Sequence, residues 1–471
     1  MMNSIKKNFM YNSVYQIMIM IIPLITTPYI SRTIGPEGVG MYSYSFSIAQ
    51  YYVLFIMLGL NNYGNRTIAM VKDNNELLST TFCNIYTMQV ALGIIINSVY
   101  LIYSFFIAEN FNITIIMGIY VLSACFDINW FFFGLEKFKS ITVRNIIIKI
   151  ITTVMIFIFV KEKNDIYVYC FIMVIGIILS QLVLWPYACK IISFKKPTWN
   201  GIKIHIKPNL VLFLTVLAVS LFKIMDKIML GVITNTQQVG FYESSERVIT
   251  IPTALVTSLG TVMLPRMSNM FANNSEKTST FLYKSILLAM FLSTSMSFGI
   301  MSVAKVFVPI FYGSGYEQCI NLFLVLLPSC IFFAFGNVIR TQYLLPKKMD
   351  RVYVISGFLG AFVNIVINLL LIPQFGALGA AIGTFFAEAV VCIYQSYMVR
   401  MFVDLKKYIK KSMPFLFSGL GMFLFLYNFN FFIDNQIILL IVMIIVGIFV
   451  YFGLLLLQIV ITRIVFKKRL F

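Results

Sequence analysis

The chain has 471 residues, of which 60% are hydrophobic and 11% charged, whereas soluble globular domains average about 25% charged residues. Its formal net charge is +19, but the lysines and arginines lie in short segments between apolar runs, an arrangement that argues against nucleic-acid binding. The seven cysteines form no Cys-x-x-Cys pair and His205 is the only histidine, which argues against a disulfide framework, a metal site or a histidine-based catalytic site.

Apolar runs long enough to cross a bilayer recur along the whole chain. A run of about 18 or more apolar residues is typical of a transmembrane helix, and the pattern predicts an all-α polytopic membrane protein with about fourteen spans. The first run follows Lys6 and Lys7, is too long for a signal peptide and has no small-residue cleavage site, so we interpret it as an uncleaved first span. The predicted divisions are an N-terminal lobe of six spans at 1–189, a basic cytoplasmic connector at 190–208, a second six-span lobe at 209–400, and two last spans with a basic cytoplasmic tail at 401–471.

The distribution of basic residues predicts the orientation of the chain. Cytoplasmic loops of membrane proteins carry an excess of lysine and arginine. When the N-terminus is placed in the cytoplasm, most of the 36 lysines and arginines fall in cytoplasmic segments. We therefore expect both termini to be cytoplasmic, and anionic lipid headgroups suffice to explain the basic loops.

Short glycine-containing turns indicate an internal repeat. The sequence Val-Gly-x-Tyr occurs at 39–42 and again at 239–242, near the start of each six-span block. Parallel repeats of this kind are a transporter architecture with the binding site between the repeats, whereas a phosphate-binding loop would need a Lys-Ser/Thr pair that is missing here. The glycines that we assign to turns or hinges are Gly35, Gly38, Gly40, Gly231, Gly240, Gly376 and Gly379.

A hairpin between residues 223 and 247 places ionisable side chains within or beside two membrane-length segments. A charge at the centre of a spanning helix costs about 2.5–3.5 kcal/mol on insertion scales. Two interpretations remain open: a structural network, in which Glu243 pairs with Arg247 and Lys223 with Asp226, or residues that face a water-filled cavity. The ionisable residues are Lys223, Asp226, Lys227, Glu243, Glu246 and Arg247.

Four further charges lie at membrane depth in other spans. Arg32 is at the outer end of span 1, and Asp127 in span 4 lies at a depth comparable to Lys149 in span 5, so these two either pair or Lys149 reaches the headgroups. Glu388, near the middle of span 12, is either a proton or cation site or a neutral carboxylic acid. Tyr242 is a candidate for sugar contact because it follows a glycine-rich turn.

Four stretches resemble one known family, the oligosaccharide flippases (Wzx-type polysaccharide transporters) of the MATE-like multidrug/oligosaccharidyl-lipid/polysaccharide superfamily. They are residues 28–40, 59–66, 127–138 and 226–231, and the last two are the most specific. The resemblance covers the whole chain and implies two six-helix lobes in parallel pseudo-repeat, followed by two C-terminal helices.

The resemblance also implies a function and a set of site residues. The substrate would be a polyprenyl-pyrophosphate-linked oligosaccharide, a polysaccharide repeat unit moved from the cytoplasmic to the outer leaflet of a bacterial cell membrane by alternating access. Polysaccharide polymerase or assembly proteins are possible partners, and no enzyme activity, cofactor, metal or nucleic acid is implied. Residues that would meet the pyrophosphate, acidic sugars or the sugar are Arg32, Arg66, Lys149, Lys223, Lys227 and Tyr242. Residues that would couple ions or form structural pairs are Asp127, Asp226, Glu243, Arg247 and Glu388.

Three other functions compete with this interpretation. A drug or cation exporter of the same fold would need an acidic cavity, whereas the charges at membrane depth here are mixed. A membrane glycosyltransferase or polymerase would need acidic residues on sizeable outside loops, and those loops are short. A channel would need a recurrent pore motif, which the sequence does not contain.

Overall fold

The computed structural model describes residues 2–273, 277–429 and 433–468, and all regular structure in these ranges is helical. The chain forms two compact units, Met1–Ile228 and Met229–Phe471. Helices of the first unit are α1 (Met2–Met57), α2 (Leu60–Val71), α3 (Asn75–Phe106), α4 (Phe111–Ser123), α5 (Asn129–Gly134), α6 (Phe138–Phe159), α7 (Ile166–Leu182), α8 (Trp185–Cys189) and most of α9 (Trp199–Ile233). Helices of the second unit are α10 (Thr236–Ala272), α11 (Thr278–Tyr312), α12 (Gln318–Ile339), α13 (Asp350–Phe375), α14 (Ala377–Val399), α15 (Leu405–Asn428) and α16 (Gln436–Lys468).

Twelve segments of the described residues are long and apolar enough to cross a membrane. The first of them, Ile21–Val71, has 51 residues; at 1.5 Å per residue it is about 77 Å long, more than twice the thickness of a bilayer core. It is interrupted at Gly35 and therefore holds two of the predicted spans. A further helix, α9, has 35 residues and contains the predicted seventh span. The predicted all-α polytopic class is confirmed, while the orientation of the termini stays a prediction.

The core of the first unit is rich in aromatic side chains. Trp130 and Phe82 are fully buried and stack with ring centroids 5.5 Å apart. Gly64 lets α2 lie directly on this cluster, because a Cβ at Gly64 would be 2.7 Å from Cε3 of Trp130. Close approach through small residues is how membrane helices gain packing energy in the absence of a hydrophobic driving force.

The second unit packs its helices through small residues in the same way. A Cβ at Gly360 of α13 would be 2.6 Å from Cγ2 of Val391 in α14. A Cβ at Gly419 of α15 would be 2.5 Å from Cδ2 of Phe298 in α11. These contacts hold α13 against α14 and α15 against α11.

The connector at 190–208 is bound to the first unit along its length. The backbone N–H groups of Ser193 and Thr198 donate to the side chains of α3 residues Ser79 (3.1 Å) and Asn84 (3.3 Å). His205, at the start of α9, forms a 2.6 Å hydrogen bond with the hydroxyl of Tyr63 in α2. The connector and most of α9 belong to the first compact unit, which ends at Ile228, and the division into lobes at 1–189 and 209–400 stays a prediction.

Candidate polar sites in the two units

The fourth predicted span is broken in its C-terminal half, between Ser123 and Asn129. Helix α4 ends at Ser123, a 3₁₀ turn covers Ala124–Phe126, and α5 begins only at Asn129. Asp127 has φ −75° and ψ 102°, which is extended backbone. Its carboxylate accepts hydrogen bonds from the backbone N–H (2.9 Å) and the side-chain amide (2.7 Å) of Asn129. Aspartate favours this local bonding over a continuous helix, so the sequence Asp-Ile-Asn explains the break.

The backbone groups released by the break are bound by protein side chains. The Gln89 amide donates to the carbonyls of Ala124 (2.7 Å) and Asp127 (2.9 Å), and its oxygen accepts the indole N–H of Trp130 (3.1 Å). The indole N–H of Trp185 donates to the Phe126 carbonyl (3.1 Å). Non-helical backbone at membrane depth is tolerated where protein or a water-filled cavity satisfies it, and transporters use such broken helices at their binding sites.

A guanidinium group lies on the other side of Asn129. Nη2 of Arg144, in α6, donates to Oδ1 of Asn129 (3.1 Å) and to Oδ1 of Asn145 (2.6 Å). The Asn129 amide also donates to Oε1 of Gln181 in α7 (3.1 Å). Arg144 is only 6% exposed. One carboxamide thus connects a carboxylate in the break of the fourth span with a guanidinium on α6. We call Asp127, Asn129, Arg144, Asn145 and Gln181 the Asp127 network.

The Asp127 network is followed by an ion pair outside the spans. Glu136, two residues after α5, has φ 58°, and its carboxylate lies 2.9 Å from Nζ of Lys72 in the turn between α2 and α3. The hydrogen bond to Glu136 raises the pKa of Lys72. Both side chains are partly exposed, so the pair contributes little to stability, but it joins the end of the broken span to the neighbouring turn.

The predicted cations of the first unit lie in different environments. Arg32 and Arg66 are exposed, and Lys149 is half-buried in α6. On α9, Asp226 is only 2% exposed and Lys227 is half-buried. The side chain of Lys223 lies outside the described residues.

The predicted polar residues of the second unit lie on α10 and α14. Nε of Arg247 is 2.8 Å from Oε1 of Glu243, one turn earlier on α10. The hydroxyl of Tyr242 lies 2.8 Å from Oγ1 of Thr384 on α14. Glu388, half-buried, is four residues after Thr384 and therefore on the same face of α14.

Two of the seven candidate hinge glycines lie at helix junctions. Gly35 interrupts α1 with φ 70° and ψ 178°, and Gly376 separates α13 from α14 with φ 55°. At Gly376, the Gln238 side chain accepts the backbone N–H of Ala377 (2.9 Å), which ties the start of α14 to α10. The other five lie within helices rather than in turns, because their segments continue the flanking helix: Gly38, Gly40, Gly231, Gly240 and Gly379.

Sequence reasoning missed the residues that join these sites. Asn129, Gln181 and Gln238 are neutral, and only ionisable side chains were weighed. Arg144 lies close to the end of its predicted span, where the positive-inside pattern alone explains a basic residue. The signal that could have identified them is the density of carboxamides within apolar runs, since each buried amide needs a partner.

The fold, with its broken fourth span and its polar residues at membrane depth, defines a helical membrane transporter. The chain matches the family model described as Polysaccharide biosynthesis protein over residues 5–271. It belongs to that family, as the resemblance predicts.

The similarity of this chain to individual relatives and to solved structures agrees with its membership of the family. The chain is 24% identical over 416 residues to an O-antigen transporter of Escherichia coli (strain K12), a match that covers 85% of this chain and 97% of that protein. Its fold is similar to that of the lipid II flippase MurJ in an inward closed conformation, with a TM-score of 0.77, 16% identity, and coverage of 98% of this chain and 100% of the other. An inward-facing multidrug resistance MATE family transporter gives a TM-score of 0.63 at 13% identity, covering 85% of this chain and 99% of the other.

Proposed function

We propose that the protein is a flippase that moves a lipid-linked oligosaccharide, a polysaccharide repeat unit on a polyprenyl pyrophosphate, across a bacterial inner membrane. The observation that carries this proposal is the collinear match to an O-antigen transporter over 97% of that protein's length. A match of that extent includes both units, so the likeness is not confined to one shared domain.

The charges within the spans suit a substrate that is itself charged at one end. A pyrophosphate is a dense anion that must leave the headgroup layer, and a guanidinium binds phosphate oxygens through two parallel hydrogen bonds. Arg144 is buried and held by two asparagines, so it is a preorganised cation in the first unit. We add Arg144 as a further residue that meets the pyrophosphate, beside the predicted cations Arg32, Arg66, Lys149, Lys223 and Lys227.

The two junction glycines suit a mechanism of alternating access. Hinges are the few positions that absorb a large change in φ and ψ. Gly35 and Gly376 each separate two long helices within one unit and each has a positive φ. Rotation at these positions would change the angle between the flanking spans without breaking their hydrogen bonds.

We further propose that the protein works without catalysis. The relatives are transporters, and the polar side chains of the Asp127 network are engaged in hydrogen bonds with one another rather than arranged as a nucleophile and a base. Polysaccharide polymerase or assembly proteins, which would use the translocated repeat unit, are proposed partners.

The test is translocation by the purified protein in vesicles. Lipid-linked oligosaccharide with a labelled sugar is placed in both leaflets, and the fraction open to a membrane-impermeant sugar oxidant is followed over time. We expect nearly complete labelling with the protein present and about half in protein-free vesicles. Vesicles that contain the Arg144→Gln variant are run in parallel, and we expect them to be labelled more slowly than those with the wild-type protein. Labelling at the protein-free level, together with export of an organic cation by the same vesicles, would contradict the proposal and favour a drug exporter.

A further inference from the structure

The second unit contains a cavity of about 610 Å³ at one end of its helices. It lies where α10 ends, α11 begins and the connector between α14 and α15 passes, and residues from all three places line it. The flanking spans Thr236–Ala272, Thr278–Tyr312 and Leu405–Asn428 all begin or end here. The cavity is therefore at the depth where apolar helices leave the bilayer core and meet the headgroup region.

Two lysines place positive charge at this cavity. Nζ of Lys347 lies 4.7 Å from the ring centroid of Phe271, and Nζ of Lys407 lies 5.7 Å from that of Tyr283. All four residues line the cavity, and both lysine side chains are exposed. The ammonium groups themselves lie over the faces of these rings, a cation–π arrangement that positions both charges at the cavity.

Hydroxyl and backbone donors complete the lining. Thr278, Ser279 and Thr280 form the first turn of α11 and all line the cavity. The N–H groups of a first turn have no partner within the helix, and they carry the positive end of the helix dipole. The acidic residue among the lining residues is Asp404, whose Oδ1 accepts the backbone N–H of Lys407 (3.1 Å) as the cap of α15.

The start of α15 concentrates positive charge next to its Asp404 cap. Lysines near a helix N-terminus oppose the dipole, and like charges four residues apart repel. The first two turns of α15 nevertheless contain Lys406, Lys407, Lys410 and Lys411, spaced as two such pairs, and no acidic residue in the first turn. Local conflicts of this kind are expected at functional sites.

Apolar side chains beside the cavity indicate what kind of anion it is. Met401 and Phe402, in the connector before α15, are 80% and 70% exposed, and Phe402 lines the cavity. Large apolar side chains at this depth are stable when acyl chains cover them. A soluble phosphate would use the lysines and hydroxyls but not these two residues, whereas a phospholipid would use both sets.

We propose that this cavity binds the headgroup of an anionic phospholipid, with Lys347 and Lys407 as counter-charges of the phosphate and the first turn of α11 as its hydrogen-bond donor. The lipid lies with its acyl chains along Phe402 and Met401. The site is separate from the Asp127 network and does not depend on what the protein transports.

The experiment measures lipid retention by the full-length purified protein. The protein is exchanged from phosphatidylglycerol nanodiscs into detergent, and bound phospholipid is counted by native mass spectrometry; phosphatidylcholine nanodiscs are run in parallel. Wild-type protein should retain phosphatidylglycerol and not phosphatidylcholine. The double variant Lys347→Gln/Lys407→Gln should lose affinity by about thirty-fold, since a lysine near an anionic surface contributes about 1 kcal/mol, roughly fivefold.

The matched control removes the same charge from neighbouring positions that do not line the cavity. Lys348→Gln/Lys406→Gln changes the residues next in sequence to the two cavity lysines and should retain phosphatidylglycerol within about twofold of wild type. Equal losses in the two double variants would overturn the proposal, because a diffuse basic surface would then explain the binding. Displacement of the lipid by millimolar glycerol phosphate would also overturn it in favour of a soluble phosphate ligand. Thermal unfolding of each variant verifies that it is folded.

Discussion

Asn129 is the residue on which the polar centre of the first unit depends. Its amide donates to Asp127 while its oxygen accepts from Arg144, so one neutral side chain orients a carboxylate in the break of the fourth span and a guanidinium on α6. The carboxylate and the guanidinium are thereby each held in place by the same amide.

We predict that Asn129→Ala destabilises the protein and lowers transport. The variant removes the side-chain hydrogen bonds of Asn129 to Asp127, Arg144 and Gln181, and an unsatisfied buried group costs about 1–3 kcal/mol. The measurement is thermal unfolding in detergent together with the vesicle assay. Asn62→Ala on α2 is the control, because Asn62 is exposed; it should unfold like the wild type. Equal unfolding temperatures for both variants would show that the side-chain hydrogen bonds of Asn129 do not stabilise the first unit.

A second prediction concerns Asp226 and Lys227 on α9. Asp226 is 2% exposed, and its predicted partner is Lys223. Removing one partner of a buried ion pair typically lowers the free energy of unfolding by about 3–5 kcal/mol. We therefore expect Asp226→Asn to lower the amount of folded protein in the membrane as well as transport. Lys227→Gln, at a half-buried position, should lower transport with little loss of protein. Equal abundance of the two variants, with transport lost only in Asp226→Asn, would identify Asp226 as an ion-coupling residue instead.

At the scale of elements, the kink in α1 makes the sharpest prediction. Gly35 has φ 70° and ψ 178°, a region that is essentially restricted to glycine and that costs other residues about 1–3 kcal/mol. A Cβ there would meet nothing within 4 Å, so Gly35→Ala tests the backbone alone. We expect lower stability and slower transport for this variant.

Gly453→Ala in α16 is the matched control for the kink. Its Cβ would also meet nothing within 4 Å, but its backbone is helical, and alanine is the better helix former. This variant should be as stable as the wild type or slightly more stable. If Gly35→Ala matched Gly453→Ala in both stability and transport rate, Gly35 would not be a hinge.

The spans could be predicted from the sequence, but the polar network could not. Apolar length alone identifies membrane helices because the bilayer fixes the number of residues needed to cross it. Arg144 and Gln181, by contrast, reach Asn129 only through the packing of α6 and α7 against the broken fourth span, and no spacing along the chain encodes these contacts. Gly35 has the positive φ that a turn requires, whereas Gly231 and Gly240 lie within helices, because a glycine in a membrane helix also serves close packing.

At the scale of the whole molecule, the charge distribution predicts which side of the membrane each connector faces. The connector at 190–208 and the C-terminal tail should both be cytoplasmic, and the connector near Lys161 should face outward. Fluorescent-protein fusions at residue 471 and after Lys161 test this, because the fluorophore matures only in the cytoplasm. Fluorescence from the Lys161 fusion and none from the C-terminal fusion would reverse the predicted orientation.

The attachment of the connector to α2 and α3 has a consequence for how the protein is made. The first unit is not complete when its sixth span leaves the ribosome near residue 189, because Tyr63, Ser79 and Asn84 still await their hydrogen-bond partners at 193–205. At about 5–20 residues per second, the chain to Ile228 needs roughly 2–8 s more. During that interval the polar side chains on α2 and α3 that bind the connector lack these partners, so the completion of the first unit depends on chain beyond its sixth span.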